Sequence, residues 1–220
     1  MDQFIEYFKA QKRKIELVEP IMYRKVLYAT ALDPLARAAF GTGEKHRTRI
    51  VKLVSEIAHW EHAGRVSLPQ LALSLKANKL EDGALYKVVN ERLIHWPKSQ
   101  LLRLETSPLP KELLDIATSK EEIEEIEFCK YQSLFYTYRN NLAHEFREPG
   151  YGFEMSNDGN SPYYHTMSRI GHSQSWELVF PVGFFAWIYA EAVDGLAHYL
   201  SENDIEPYSQ FEFGSRWQAK

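Results

Sequence analysis

The chain has 220 residues, which is enough to bury a real hydrophobic core within one domain, and 45% of them are hydrophobic. Charged residues make up 25%, an ordinary fraction for a soluble globular protein. The formal net charge of −4 argues against broad, nonspecific binding to nucleic acid, so any RNA contact must come from a local basic pocket. We therefore expect a single domain over residues 1–220.

The cellular compartment is indicated by cysteine usage and by the lack of export signals. Cys129 is the only cysteine, so it cannot form an internal disulfide, and this predicts a reducing cytoplasm. The N-terminus lacks the basic start and apolar run of a signal peptide. The apolar segment 179–193 contains Pro181 and Glu191 and is too short to span a membrane. We therefore expect a cytoplasmic protein with no membrane partner.

Apolar residues at helical spacing dominate the first part of the chain. They predict helices over 2–19, 20–40 and 44–62, and shorter ones over 67–78, 83–96 and around residue 113. Pro34 should bend the second helix, because proline removes an N–H and clashes with the preceding turn.

A long helix is predicted next, over 119–147. Ser119 stands three residues before Glu122, the spacing of a capping box, and Pro149 with Gly150 ends the helix. Such a helix would be about 40 Å long at ~1.5 Å per residue. Its first half is acidic, its second half is aromatic, and it ends in a polar cluster of Arg139, Asn140, Asn141 and His144.

The pattern changes after this helix. Residues 151–155 and 163–167 alternate in polarity around an Asn- and Gly-containing stretch, which predicts a β-hairpin excursion within 150–180. Residues 176–180 are a candidate third strand, and Pro181 opens a last helix to about residue 201. The predicted fold class is mainly α, a helical bundle with a small β-hairpin excursion.

The residues Arg139-Asn140-x-x-x-His144 resemble the Arg-polar-x3-His signature of the HEPN superfamily, where it ends a long helix. The segment 28–36, Tyr-Ala-Thr-Ala-Leu-Asp-Pro-Leu-Ala, resembles the "ALDALA"-like second helix of bacterial members, with Pro34 as a departure. The resemblance implies an HEPN-like helical bundle of the bacterial toxin or antiphage-defence type.

The chemistry of this cluster suits a phosphodiester. Histidine moves protons near neutral pH, and arginine offers a planar fork to phosphate oxygens. On a regular helix Asn140 and His144 share a face. Arg139 and His144 are about 140° apart at ~100° per residue. The tips of these two side chains therefore converge only at a bent helix end or across an interface.

The resemblance implies a metal-independent endoribonuclease that uses no cofactor. Attack by the ribose 2′-OH would leave a 2′,3′-cyclic phosphate, and the active unit would be a homodimer. The expected catalytic residues are Arg139, Asn140 and His144, and the expected substrate contacts are Asn141, Arg147 and His165. The expected partners are RNA or a nucleotide, a second copy of the chain and a cognate inhibitor protein. No Cys/His cluster of the zinc type is evident in the sequence, so we expect no metal ligands.

Two alternatives stay open. Arg139 could instead pair with Glu145 or Glu148, while Asn141 and His144 cap the helix end. The chain could also be a noncatalytic HEPN-like dimer that binds a nucleotide, RNA or a protein partner, because a fold does not establish an activity.

Overall fold

Helices form most of the chain in the computed structural model, which describes residues 1–97, 101–154, 159–171 and 173–211. The α-helices are α1 (Asp2–Glu16), α2 (Ile21–Phe40), α3 (His46–Lys52), α4 (Leu68–Ala77), α5 (Ala84–Ile94), α6 (Pro110–Leu114), α7 (Lys120–Phe128), α8 (Tyr131–Asn140) and α9 (Val182–Glu202). The strands are β1 (Leu102–Arg103), β2 (Tyr163–Met167) and β3 (Ser175–Val179). The prediction of a mainly helical fold with a small β-hairpin is confirmed.

The centre of the fold is the packing of α2 against α9, with α1 also lying on α9. Small buried residues on α2, such as Ala29 and Ala36, allow the helices to approach closely. Gly195 of α9 makes a similarly tight contact, because a Cβ atom there would lie 2.2 Å from the carbonyl oxygen of Ile57. A second, smaller buried cluster joins α4, α5, α6 and α7. α2 continues through Pro34 without interruption.

The start of the predicted long helix is confirmed at Ser119. The backbone N–H of Glu122 donates to the Ser119 hydroxyl (3.1 Å), and the Glu122 carboxylate accepts from the Ser119 N–H (3.2 Å). Each side chain therefore satisfies one backbone donor that the first helical turn leaves unpaired.

The prediction of one continuous helix over 119–147 is wrong, because the chain breaks between α7 and α8. Lys130 has an extended backbone and forms an isolated antiparallel bridge with Val66. The Cys129 carbonyl accepts from the Ser67 N–H, and the Tyr131 N–H donates to the Arg65 carbonyl, both at 3.0 Å. These tertiary hydrogen bonds replace the helical ones, so the break costs little.

The sheet is antiparallel, with the strand order β1-β2-β3. β2 and β3 form the hairpin, in which Tyr163 lies opposite Val179 and Met167 lies opposite Ser175. The predicted strand at 163–167 and the candidate strand near 176–180 are therefore present. β1 was missed, since two residues are too few to show alternation.

The predicted strand over 151–155 is wrong for residues 151–154, and residue 155 lies outside the described residues, as does most of the predicted turn. Backbone N–H groups in this segment donate to side chains and not to a neighbouring strand. The Tyr151 N–H donates to the Glu177 carboxylate (3.1 Å), and the Phe153 N–H donates to His165 Nε2 (3.3 Å).

The third predicted helix is shorter than expected. α3 is followed by a π-helix, Leu53–Ile57, and the chain then turns at His59, which has a φ of 48°. In the part of the chain that the structure describes, no helix combines the length and apolar content needed to cross a membrane.

Candidate functional site

Arg139 is the centre of a hydrogen-bonded network and is 1% exposed. Its Nε donates to the Ala29 carbonyl oxygen (3.0 Å), and its Nη1 donates to Asn140 Oδ1 (2.9 Å). Its Nη2 donates to a carboxylate oxygen of Asp33. The two stretches that resemble HEPN proteins are therefore in direct contact, because Ala29 and Asp33 both belong to the segment 28–36.

This burial revises the role expected of Arg139. Each nitrogen of this guanidinium donates to a protein group, and the side chain is too deeply buried for a phosphate to reach it from solvent. The expectation of a direct contact between Arg139 and phosphate is therefore not supported by this arrangement. The pairing with Glu145 or Glu148 that was left open is not formed either, because the carboxylate partner is Asp33.

Asp33 also connects Arg139 to a histidine that sequence reasoning missed. Its Oδ1 lies 2.5 Å from His46 Nε2, and His46 Nδ1 lies 3.3 Å from the hydroxyl oxygen of Tyr136. The side chains of His46 and Asp33 are 36% and 37% exposed, so solvent reaches this end of the network. A carboxylate on one ring nitrogen fixes the orientation of an imidazole, as catalytic histidines require. We call Arg139, Asp33, His46, Tyr136 and Asn140 the Arg139 network.

His46 and Tyr136 have no signal in the sequence that would identify them. They come together because α3 packs on α8, a tertiary contact that periodicity does not predict. Asp33 stands in the segment 28–36, but the pattern of that segment assigns no partner to it.

A π-helix, Asn141–Glu145, carries the second half of the motif. The N–H of Phe146 donates to the carbonyl of Asn141, five residues earlier. The separation of about 140° between Arg139 and His144 assumes a regular α-helix, so it does not apply to a segment that contains this π-turn.

His144 is exposed, and its side chain makes no hydrogen bond or ion pair with any other described residue. Leu142, buried two positions earlier, anchors the turn in the core. The cap by His144 that was left open as an alternative is thus not formed, and its imidazole remains open to solvent next to the buried Leu142.

The expected substrate-binding residues have different environments. Arg147 is exposed and pairs with Glu145 at 2.5 Å on the surface, where such a pair contributes little stability. Asn141 is half-buried beside His144. Both residues therefore remain next to the motif.

Among the described residues, no contact brings His165 to the motif. It is 3% exposed and lies on β2. Its Nε2 accepts from the Phe153 N–H (3.3 Å), and its Nδ1 lies 3.3 Å from the Thr166 carbonyl oxygen. Its ring packs against Phe153 with centroids 4.9 Å apart. This histidine holds the segment after the motif in place.

A buried ion cluster fixes the same segment from the other side. Lys25 of α2 is fully buried, and its Nζ lies 2.6 Å from Glu148 and 2.8 Å from Glu154. Burial, and then the charge of Glu148, raise the pKa of the Tyr138 hydroxyl well above its usual value. The chain leaving the π-helix is therefore tied to both α2 and α8.

Comparisons with family models, curated proteins and solved structures found no match for this chain. The HEPN resemblance therefore rests on the two stretches described above and stays a prediction.

Proposed function

We propose that the protein is a metal-independent endoribonuclease of the HEPN kind, acting in a toxin or antiphage-defence role. The observation that supports this is the pairing of Arg139 with Asp33, which joins the two HEPN-like stretches beside the exposed His144. The buried Arg139 lies close in the chain to the solvent-facing imidazole of His144, an arrangement that suits a site that is rigid and accessible to a substrate.

The proposed reaction moves two protons. The ribose 2′-OH attacks the neighbouring phosphorus, and the bond from phosphorus to the 5′ oxygen of the next nucleotide breaks. A base takes the proton of the 2′-OH, and an acid gives a proton to the leaving 5′ oxygen. The products are a 2′,3′-cyclic phosphate and a 5′-OH. Histidine can serve both steps near neutral pH.

His144 is the proton carrier in this proposal, and His46, whose two ring nitrogens contact Asp33 and Tyr136, acts as a positioning residue. Tyr136, which contacts His46, is followed at four-residue intervals by Asn140 and then by His144. The contact with His46 and the side chain of His144 therefore lie on either side of Asn140 along this part of the chain. Asp33 would hold His46 in one orientation while the open imidazole of His144 meets the RNA.

Asn140 is assigned the contact with the phosphate. Its Oδ1 accepts from Arg139, which orients the amide and leaves the NH₂ group as a donor. Arg139 then acts as a positioning residue, and the exposed Arg147 and the neighbouring Asn141 contact the RNA backbone.

A twofold dimer completes the proposed site. Two copies of the π-helix that face one cleft would surround a phosphate from two directions, because a twofold contact brings the same groups from each copy. A cognate inhibitor protein would silence the enzyme by covering this cleft.

The test uses labelled single-stranded RNA in excess EDTA. We expect the wild type to cleave it and His144→Ala to lose at least a hundredfold in rate, as removal of a general acid or base does. His46→Gln should also be slowed. His198→Ala is the matched control, because His198 is an exposed histidine on α9, away from the motif. Equal rates for wild type and His144→Ala would overturn the proposal.

A noncatalytic dimer that binds RNA, a nucleotide or a protein partner is the second candidate. The full engagement of Arg139 by protein groups favours it, because the arginine is then explained by structure alone. Saturable RNA binding without cleavage by the wild type would select this candidate.

A further inference from the structure

A groove of about 550 Å³ lies beside the motif. Its walls come from α4, α8, β3 and the segment that follows the π-helix. Its lining is mainly apolar and aromatic, and it includes Leu73, Leu134, Tyr138, Tyr151 and Trp176. This volume is within the range of sites that hold one small molecule, roughly 300–1,000 Å³.

The charge in the groove comes from one arginine and one glutamate. Arg169 stacks on the ring of Tyr151, with its guanidinium carbon 3.8 Å from the ring centroid. It forms no ion pair or hydrogen bond with another residue in the described ranges. Glu177, by contrast, accepts from the Tyr151 N–H (3.1 Å) and from the Ser175 hydroxyl (2.6 Å). The glutamate therefore holds the groove together, and the guanidinium is left to meet an anion.

The groove adjoins the motif on both sides along the chain. Thr137 and Tyr138 line it and directly precede Arg139, while Pro149, Gly150 and Tyr151 line it and follow the π-helix. Glu177 fixes that second edge, since a Cβ atom on Gly150 would lie 2.8 Å from the Glu177 carboxylate. A nucleotide bound here would therefore lie next to residues that flank the motif on both sides.

We propose that this groove binds one nucleobase of the RNA, next to the cleaved phosphodiester. The base stacks on the aromatic wall at Trp176 and on the face of Tyr151 that Arg169 does not cover, and Arg169 contacts the phosphate attached to that nucleotide. Aromatic walls stack any base, and arginine binds phosphate through its fork. Placement on the cleaved RNA rests on the proposed function, whereas binding of a nucleotide in the groove does not.

The experiment measures calorimetric binding of nucleoside 3′-monophosphates to the full-length wild type, with ribose 5-phosphate as the probe that lacks a base. We expect the nucleotides to bind at least tenfold more tightly than ribose 5-phosphate. Tyr151→Leu should weaken nucleotide binding about tenfold, within the range found for loss of one stacking partner. Arg169→Gln should weaken nucleotides about tenfold but leave uncharged nucleosides unchanged.

One control and one further variant complete the test. Arg92→Gln removes a surface arginine that pairs with Glu112 in another part of the molecule, and it should bind nucleotides as the wild type does. Trp176→Leu is the second variant of the stacking wall. Nucleotide affinities unchanged by Arg169→Gln, Tyr151→Leu and Trp176→Leu would overturn the inference, as would equal binding of ribose 5-phosphate.

Different results would overturn the proposed ribonuclease activity and the proposed nucleotide groove. Nucleotide binding that depends on Arg169 and Tyr151, without cleavage of RNA, supports the groove and overturns the ribonuclease. Cleavage that depends on His144, with no nucleotide binding in the groove, supports the ribonuclease and overturns the groove.

Discussion

Two residues of the motif, Arg139 and His144, have opposite environments although they are only five positions apart. Arg139 is 1% exposed and bound to three protein groups, whereas His144 is exposed. A buried arginine whose three nitrogens all donate to protein groups stabilises the fold around it. An exposed histidine that pairs with no described residue contributes little stability, so substitution of the two residues should have different effects on unfolding.

The first prediction separates these roles by thermal and chemical unfolding. Arg139→Ala should lower the free energy of unfolding by about 2–4 kcal/mol, because it opens a cavity and removes the partner of Asp33. His144→Ala should change it by less than about 0.5 kcal/mol. Equal stability of Arg139→Ala and wild type would show that the Arg139 network does not stabilise the fold.

The second prediction concerns the buried thiol. Burial, and then the negative charge of Glu125, raise the pKa of Cys129 to about 12. Since only the thiolate reacts, folded protein at pH 8 should resist iodoacetamide, and protein unfolded in denaturant should be alkylated stoichiometrically. Mass spectrometry after a timed reaction provides the measurement. Rapid alkylation of the folded protein would contradict the burial of this thiol.

At the scale of elements, local chemistry was predictable and tertiary hydrogen bonding was not. The Ser119 cap and the helix that follows Pro181 are specified by neighbours in the sequence. The break at Lys130 depends on hydrogen bonds to residues 63–67, which lie far away in the chain.

The candidate site was likewise predictable only where it depends on local sequence. The motif identified the exposed His144, but no local pattern shows that Arg139 meets Asp33 or that His46 approaches Tyr136. These contacts arise only when α2, α3 and α8 pack together. The π-turn also has no local pattern here, so the regular-helix spacing assumed between Arg139 and His144 does not apply.

The third prediction tests the cap at the start of α7. Ser119→Ala should lower the free energy of unfolding by about 1 kcal/mol, the usual cost of losing an N-cap side chain. Ser201→Ala is the control, because Ser201 is an exposed serine within α9. Urea unfolding of both variants is the measurement, and RNA cleavage should not change in either. Equal midpoints for the two variants would contradict the role of the cap.

At the scale of the whole molecule, an exposed aromatic pair adjoins the π-helix. Phe146 and Tyr23 are 54% and 48% exposed, and their ring centroids lie 5.5 Å apart. Phe146 also has a left-handed backbone with a φ of 56°, which disfavours any residue but glycine and costs roughly 1–2 kcal/mol. Strain retained at an exposed aromatic residue is consistent with a functional contact, and aromatic residues are enriched at interfaces. This pair is therefore our candidate for the dimer contact.

The fourth prediction follows from that strain. Phe146→Gly should relieve it and leave the unfolding free energy within about 1 kcal/mol of wild type, since glycine also raises the entropy of the unfolded chain. The same variant should raise the dimer dissociation constant at least tenfold in sedimentation experiments. Leu17→Ser is the control, because Leu17 is 82% exposed at the end of α1. A wild-type monomer with full specific activity would contradict the proposed dimer.

The chemistry of the cleaved RNA ends tests the central claim most directly. RNA incubated with the wild type in excess EDTA should yield fragments whose 3′ ends carry a 2′,3′-cyclic phosphate and whose new 5′ ends carry a hydroxyl. Mass spectrometry distinguishes these ends, and the products should be absent with His144→Ala. Fragments with 3′-hydroxyl and 5′-phosphate ends, or cleavage that requires added Mg²⁺, would contradict the account.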